Sequence, residues 1–160
     1  MERQMKRSSL RFLVVHSIGM FAVYGLALSA VIDPAWATDP EILRPRVPPG
    51  EISAAKALSN PFAATPEQIQ KGDAIFHGKG FCAACHGRDG KGLGEGLELK
   101  GPLPRDFTDR TWQAARADGE LLWILKNGSQ GTAMAPFIPL VLTEEEAWQV
   151  LLYVRSLGDR

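Results

Sequence analysis

The chain has 160 residues with 18 basic and 18 acidic side chains, and is formally uncharged at neutral pH. This balance lacks the charge excess of a nucleic-acid or anionic-membrane surface. The length allows one small domain beyond a terminal segment.

Arg3, Lys6, Arg7 and Arg11 open the chain, opposed only by Glu2, and a 21-residue apolar run follows over residues 12–32. The run closes on Ala35-Trp36-Ala37. A basic start, an apolar stretch and a small-residue A-x-A site describe a secretory signal, with cleavage expected after Ala37. The alternative is an uncleaved anchor, because 21 apolar residues approach the ~20 that span a bilayer. Either reading exports residues 38–160 to the periplasm or another extracytoplasmic space. Four of the basic and two of the acidic residues precede the cut, so the remainder carries about −2.

Residues 38–64 contain five prolines and no sustained apolar periodicity, and read as a linker or wrapping arm. The compact domain is expected over residues 65–160. Thr65, Pro66 and Gln68 spell a helix start with a capping box, followed by Ile69, Gly72, Ile75 and Phe76 on one face. Residues 87–110 are rich in Gly and Pro and are expected to be loop. A short helix follows in "DGELLWILKNG", ending at Asn127-Gly128. The last helix starts at Thr143 with Glu146 closing its box, buries Ala147, Val150, Leu151, Val154 and Leu157, and stops at Gly158. No stretch alternates as a strand does, so the domain is read as all-α.

About 95 residues with three short helices make a small core, and domains of this size often rely on a disulfide, metal or cofactor. The candidate staple is "CAACHG", which holds both cysteines, Cys82 and Cys85, and His86. A Cys82–Cys85 disulfide closes too small a loop to stabilise much. A thioredoxin-like dithiol needs a βαβ context that is absent. Zinc lacks a second Cys/His pair to complete a tetrahedral site. Covalent haem attachment fits: C-x-x-C-H is its signature, with both thiolates adding to the porphyrin vinyl groups and His86 beneath the iron as proximal ligand.

For the opposite haem face the exported chain offers one methionine, Met134. A lone Met is often a core gap-filler, yet this one sits in "GSQGTAMAPF", a Gly-flanked loop between two helices that can lay a thioether over a haem. His77 lies on the helix leading into the attachment site and reads as a solvated helix-end histidine.

With its N-terminal helix bearing Gly72 and Phe76, then "CAACHG", "MAPF" and a C-terminal helix with Trp148 and Tyr153, the chain resembles the monohaem class I c-type cytochromes over residues 65–160. The resemblance implies a small all-α cytochrome c-like domain of three to five short helices around one covalently attached haem c. It implies close crossing of the terminal helices at Gly72 near Tyr153, where only a missing Cβ permits the approach. It also implies a proline carbonyl, Pro102 or Pro104, that orients His86. "GRDGKGLGEG" lacks the strand and Lys-Ser/Thr pair of a nucleotide loop. Arg105, Trp112 and Lys126 are candidates for a haem propionate, with a solvated role equally open to the two cations. Trp112, Trp123 and Trp148 read as core.

The functional expectation is an exported electron carrier rather than an enzyme, with Cys82 and Cys85 as thioethers, His86 and Met134 as axial ligands, and redox proteins as donor and acceptor. Nucleic acid is not an expected partner, and a membrane is one only if residues 12–32 remain uncleaved. The alternatives are a haem subunit of a larger oxidoreductase, or a haem enzyme or sensor with a displaceable sixth ligand. N-terminal sequencing of the purified protein is expected to start at Thr38 in the soluble extracytoplasmic fraction. An intact N-terminus in the membrane fraction would establish the anchored form.

Overall fold

The computed structural model describes residues 40–93, 96, 98, 99 and 101–160, so the apolar run and Ala35-Trp36-Ala37 lie outside the described residues. Seven helices and no strand occur among them: α1 (Pro40–Leu43), α2 (Ile52–Lys56), α3 (Pro66–His77), α4 (Cys82–His86), α5 (Arg110–Ala115), α6 (Asp118–Asn127) and α7 (Glu144–Leu157). Among the described residues no helix is long and apolar enough to cross a membrane.

α7 is the central element. Thr143 Oγ1 accepts from Glu146 N at 3.2 Å while Glu146 Oε2 accepts from Thr143 N at 3.0 Å, completing the capping box. Three glutamates in the first turn face the positive end of the helix dipole. The expected stripe is buried, and Trp148, Leu152 and Tyr153 are buried with it. A helix buried over so much of its surface needs neighbours on several sides. α3 and α6 supply two of them, and Arg155 on α7 clasps Asp118 of α6 at 2.7 Å.

α3 starts as expected at Thr65, whose Oγ1 accepts from Gln68 N at 3.3 Å. The reciprocal half of that capping box is missing, because Thr65 N donates to Ala63 O at 2.8 Å instead. Gln68 Oε1 is left buried without a hydrogen-bond partner. Further along, Gly72 meets α7 backbone to backbone. A Cβ built there would lie 2.9 Å from Tyr153 Cβ and collide with the Gln149 carbonyl oxygen. The crossing seats Phe76, fully buried, against Tyr153 at 5.1 Å between ring centroids.

The proline-rich arm carries two helices that its composition does not announce, and it packs onto the domain. Val47 and Ala55 are buried. Gly119 on α6 lets the Ala55 carbonyl approach so closely that any Cβ would overlap it. Asn60 Nδ2 donates to the Trp148 carbonyl at 2.8 Å, and Trp123 Nε1 donates to Glu51 at 2.7 Å, which draws Trp123 to the surface rather than into the core.

Gly72→Val places two methyl groups into this helix crossing. Overpacking of this kind costs roughly 1–3 kcal/mol, partly offset by the lower helix entropy cost of a non-glycine residue. Denaturant titration is expected to show that loss, and a variant as stable as the parent would mean that α3 and α7 cross elsewhere.

Candidate functional site

α3 ends in a turn that leads directly into the cysteines. Phe81, at φ 52, occupies the left-handed region that a bulky residue rarely adopts, and it is 70 % exposed. α4 is then one short helix, so Cys82 and Cys85, three residues apart, share a face with His86 following. Gly87, at φ 76, ends it. The chain folds back under the helix through Gly92 N donating to the His86 carbonyl at 2.9 Å. Both thiols are free and partly buried. Burial pushes the Cys82 thiol up to about 11, the neighbouring Cys85 adds to the rise, and a backbone hydrogen bond opposes it.

His86 is fixed on two sides. Its Nδ1–H donates to the Arg105 carbonyl at 3.0 Å, and its ring stacks on Phe107 with centroids 4.2 Å apart and planes at 21°. Burial lowers its pKa below the usual imidazole value, against the raising effect of the Arg105 carbonyl. A neutral ring with Nδ1 committed as donor keeps its lone pair at Nε2, the state a metal requires. The expected proline carbonyl is not the partner. A Cβ on Gly92 would lie 2.8 Å from Pro104 O, so that carbonyl is turned to the glycine loop and the next one, of Arg105, faces the histidine.

Cys82, Cys85, His86 and Met134 all line one cavity of about 270 Å³, walled by apolar side chains including Trp112, Leu125, Val150 and Val154. Met134 enters on the loop after α6. Its carbonyl accepts from Ser129 N at 3.0 Å and its own N donates to Thr132 Oγ1 at 3.2 Å. Two residues of the same loop, Phe137 and Ile138, donate back to the Leu125 carbonyl at 2.8 and 3.1 Å. Met134 is also packed against the hydrophobic core, so the loop is held in place and carries its thioether with it.

This donor set fits a haem. Two thiols, one imidazole and one thioether converge on an apolar cavity, whereas a hydrated divalent ion requires clustered oxygen donors. Among the described residues no group of three or more His, Cys, Asp or Glu is placed to hold a metal ion by itself.

A family model described as cytochrome c oxidase, cbb3-type, subunit III matches residues 67–154. Over 102 residues the chain is 35% identical to cytochrome c-551 of Stutzerimonas stutzeri, covering 63% of this chain and 90% of that protein. The chain belongs to the monohaem class I c-type cytochromes. Among solved structures it resembles a chain of the reducing HAO-like protein complex of Kuenenia stuttgartiensis, with TM-score 0.54 and 29% identity, over 61% of this chain and 46% of that one. It therefore spans less than half of that neighbour's length. The cytochrome carries one covalently bound haem c and transfers electrons.

Two expectations about the surroundings change. Lys126 pairs with Glu144 at 2.7 Å and is not among the cavity-lining residues, because its place on the last turn of α6 brings it to the acidic start of α7. His77 stands at the end of α3 as expected and is partly exposed, but it is held by partners rather than only by solvent. Its Nδ1 lies 2.8 Å from Asp73 Oδ1 and its Nε2 2.9 Å from the Arg88 carbonyl, so it ties α3 to the loop after the attachment helix. Sequence reasoning missed Phe107, which nothing local marks as a histidine support. Its position two residues beyond the Arg105 carbonyl is the only hint.

Phe107 touches His86, Phe76 and Trp112 at once, the last two at centroid distances of 6.2 and 5.3 Å. Phe107→Ala is expected to destabilise the holoprotein by roughly 3 kcal/mol, the lower end for losing a core phenylalanine. A melting curve superimposable on that of the parent would mean the hydrogen bond to Arg105 holds His86 unaided.

Proposed function

We propose that the cytochrome is an exported electron carrier of the periplasm or another extracytoplasmic space. In this reading Cys82 and Cys85 would hold the haem by thioether bonds, and His86 and Met134 would ligate its iron. The supporting observation is that these four side chains, from a helix and a loop 48 residues apart, line the same apolar cavity.

Bound haem c supplies a one-electron couple at its iron. The residues around it fix the ligands. The hydrogen bond from Nδ1 of His86 to Arg105 fixes the tautomer and raises the basicity of Nε2, while Phe107 holds the ring plane. The Met134 loop, tied back to Leu125, presents a soft thioether that favours ferrous iron and a comparatively high potential. With His86 and Met134 both anchored and both available to hold the iron, no position would stay open for a substrate, so in this reading the protein would exchange electrons with redox proteins instead of transforming a small molecule. Ala133, Ala135 and Pro136 flank Met134 and offer none of the acid–base groups that peroxide chemistry requires. Contacts with donor and acceptor proteins of this kind are small and transient. In the same reading residues 38–64, expected to be a linker or wrapping arm, serve as an arm to the haem domain of residues 65–160, supported by the packing of Val47, Ala55 and Asn60 onto it.

The test compares the parent with two variants. Haem should remain on the parent and on Met134→Ala through acidified-acetone extraction, and leave the double variant Cys82→Ala/Cys85→Ala. The oxidised parent should show the weak far-red thioether-to-ferric band. Met134→Ala should lose that band, fall in potential, bind carbon monoxide much faster, and lose roughly 2–5 kcal/mol of stability. A parent that lacks the band and binds carbon monoxide readily would put Met134 in the core as packing, and would make the protein a haem enzyme or sensor.

A further inference from the structure

His77 sits among partners that no neutral form of its ring satisfies. Nδ1 lies 2.8 Å from Asp73 Oδ1 and 3.1 Å from the Asp73 carbonyl oxygen, and Nε2 lies 2.9 Å from the Arg88 carbonyl oxygen. All three partners are acceptors. A neutral imidazole carries one N–H, so either tautomer turns a lone pair on an oxygen. Only the imidazolium, with two N–H groups, completes both contacts.

The surroundings suit that charge. Asp73 supplies the carboxylate from α3, and Tyr153 of α7 packs edge-on against the ring with centroids 5.7 Å apart. Burial, and then the Asp73 carboxylate, raise the Tyr153 phenol above its usual range, so its hydroxyl stays neutral and hydrogen-bonds to Asp73. Arg160, from the C-terminus, lies over the Tyr153 ring at 5.6 Å. On the loop side Arg88 has an exposed side chain, and Asp89 pairs with Lys91 at 3.6 Å. Lys79, two residues beyond His77, is engaged by Glu146 at 2.8 Å.

The contact at Arg88 leads to His86 in a few steps. Gly90 N donates to the Gly87 carbonyl at 3.2 Å, and the Gly90 carbonyl accepts from Phe107 N at 2.7 Å. Phe107 in turn stacks on the His86 ring. Gly90 is pressed against Leu157 of α7 so closely that a Cβ would lie 2.6 Å from its Cδ1. The segment that seats Phe107 is therefore held at two points, by His77 at Arg88 and by α7 at Gly90. Contacts in such an unbroken series can pass a local change from one end to the other.

We infer that His77, doubly protonated, is a positioning residue for His86 that acts through Arg88, Gly90 and Phe107 and ties the reduction potential of the haem to pH. This rests on the haem site proposed above. When the ring loses a proton, the charge-assisted bond to Asp73 is the stronger of the two and is kept, so the Arg88 carbonyl is released. A positive charge that disfavours ferric iron goes with the proton, and the potential falls as pH rises. Of the three histidines, His16 lies in the N-terminal apolar run and His86 lines the cavity, which leaves His77 as the imidazole free for this task.

The experiment uses the full-length holoprotein and follows its reduction potential and amide hydrogen exchange between about pH 5 and 8, where imidazoles titrate, in the parent, His77→Gln and His77→Leu. The parent's potential should fall as pH rises. Protection of the Gly90, Gly92 and Phe107 amides, corrected for intrinsic exchange rates, should fall along the same curve. His77→Gln keeps a donor for the Arg88 carbonyl but no titrating proton, so it should lose this fall in potential yet retain most of the acid protection at every pH. His77→Leu should lose both the fall and the protection. A fall that persists undiminished in both variants belongs to another group, such as a haem propionate, and overturns the inference, as does full protection in His77→Leu. Should a variant fail to fold, NMR of the ring nitrogens in the parent decides. Two N–H protons in acid, becoming one as the potential falls, are expected, and a single neutral tautomer throughout overturns the inference. A parent that releases its haem into acidified acetone overturns the attachment reading instead, while the exchange and ring measurements still decide the part of His77.

Discussion

The close backbone contact between Gly72 of α3 and Gln149 of α7 sets the rest of the molecule. Two helices can approach to this distance only where one of them lacks a Cβ. The contact fixes Phe76 one turn further along against Tyr153, and so fixes where α3 ends and the attachment helix begins. On the other side of α7, Val150, Leu151 and Val154 become a wall of the cavity. One missing methyl group therefore places both the cysteines and the surface they face.

His86 shows how a small all-α domain fixes one imidazole rigidly without a sheet to build on. The attachment helix is a single turn and contributes no buried residue of its own. Its position is set by the segments around it: Gly92 bonded to the His86 carbonyl, Arg105 bonded to the ring, Phe107 stacked on the ring, and His77 holding the Arg88 carbonyl. These contacts come from residues 77 to 107, most of them in the glycine- and proline-rich loop. Such a loop is well suited to the task, because its positive-φ glycines turn the chain tightly enough to bring carbonyls and an aromatic ring back onto one imidazole.

The arm changes how the core is counted. Taken alone, residues 65–160 would leave Gly119, the Trp148 carbonyl and the side of the cavity lined by Val47 exposed. Val47, Ala55 and Asn60 cover these places, so part of the burial that a domain of this size lacks comes from a segment with no helical periodicity of its own. Proline suits that use. Its fixed φ lowers the entropy lost when an extended segment is laid onto a surface.

By itself the sequence determined what depends on residues close together along the chain. Caps at Thr65 and Thr143, the Gly128 stop and the apolar stripe of α7 are local patterns, and each corresponds to an observed helix end or face. The C-x-x-C-H motif stood out for the same reason, since three reactive side chains within five residues share one helical turn. Met134 stood out by scarcity, as the only methionine beyond the apolar N-terminal run, and the fold brings it to the same cavity. Tertiary structure alone decided what depends on residues that no spacing links. It gave His86 the carbonyl of Arg105 rather than that of a proline, turned Lys126 to Glu144, and brought the Arg88 carbonyl to Nε2 of His77. It also gathered Arg44, Arg46, Arg105 and Arg116 around one cavity. A hydrogen-bond partner or a charge cluster is set by which groups lie within about 3 Å after folding, and the loop or longer stretch of chain between them carries no periodic trace of it.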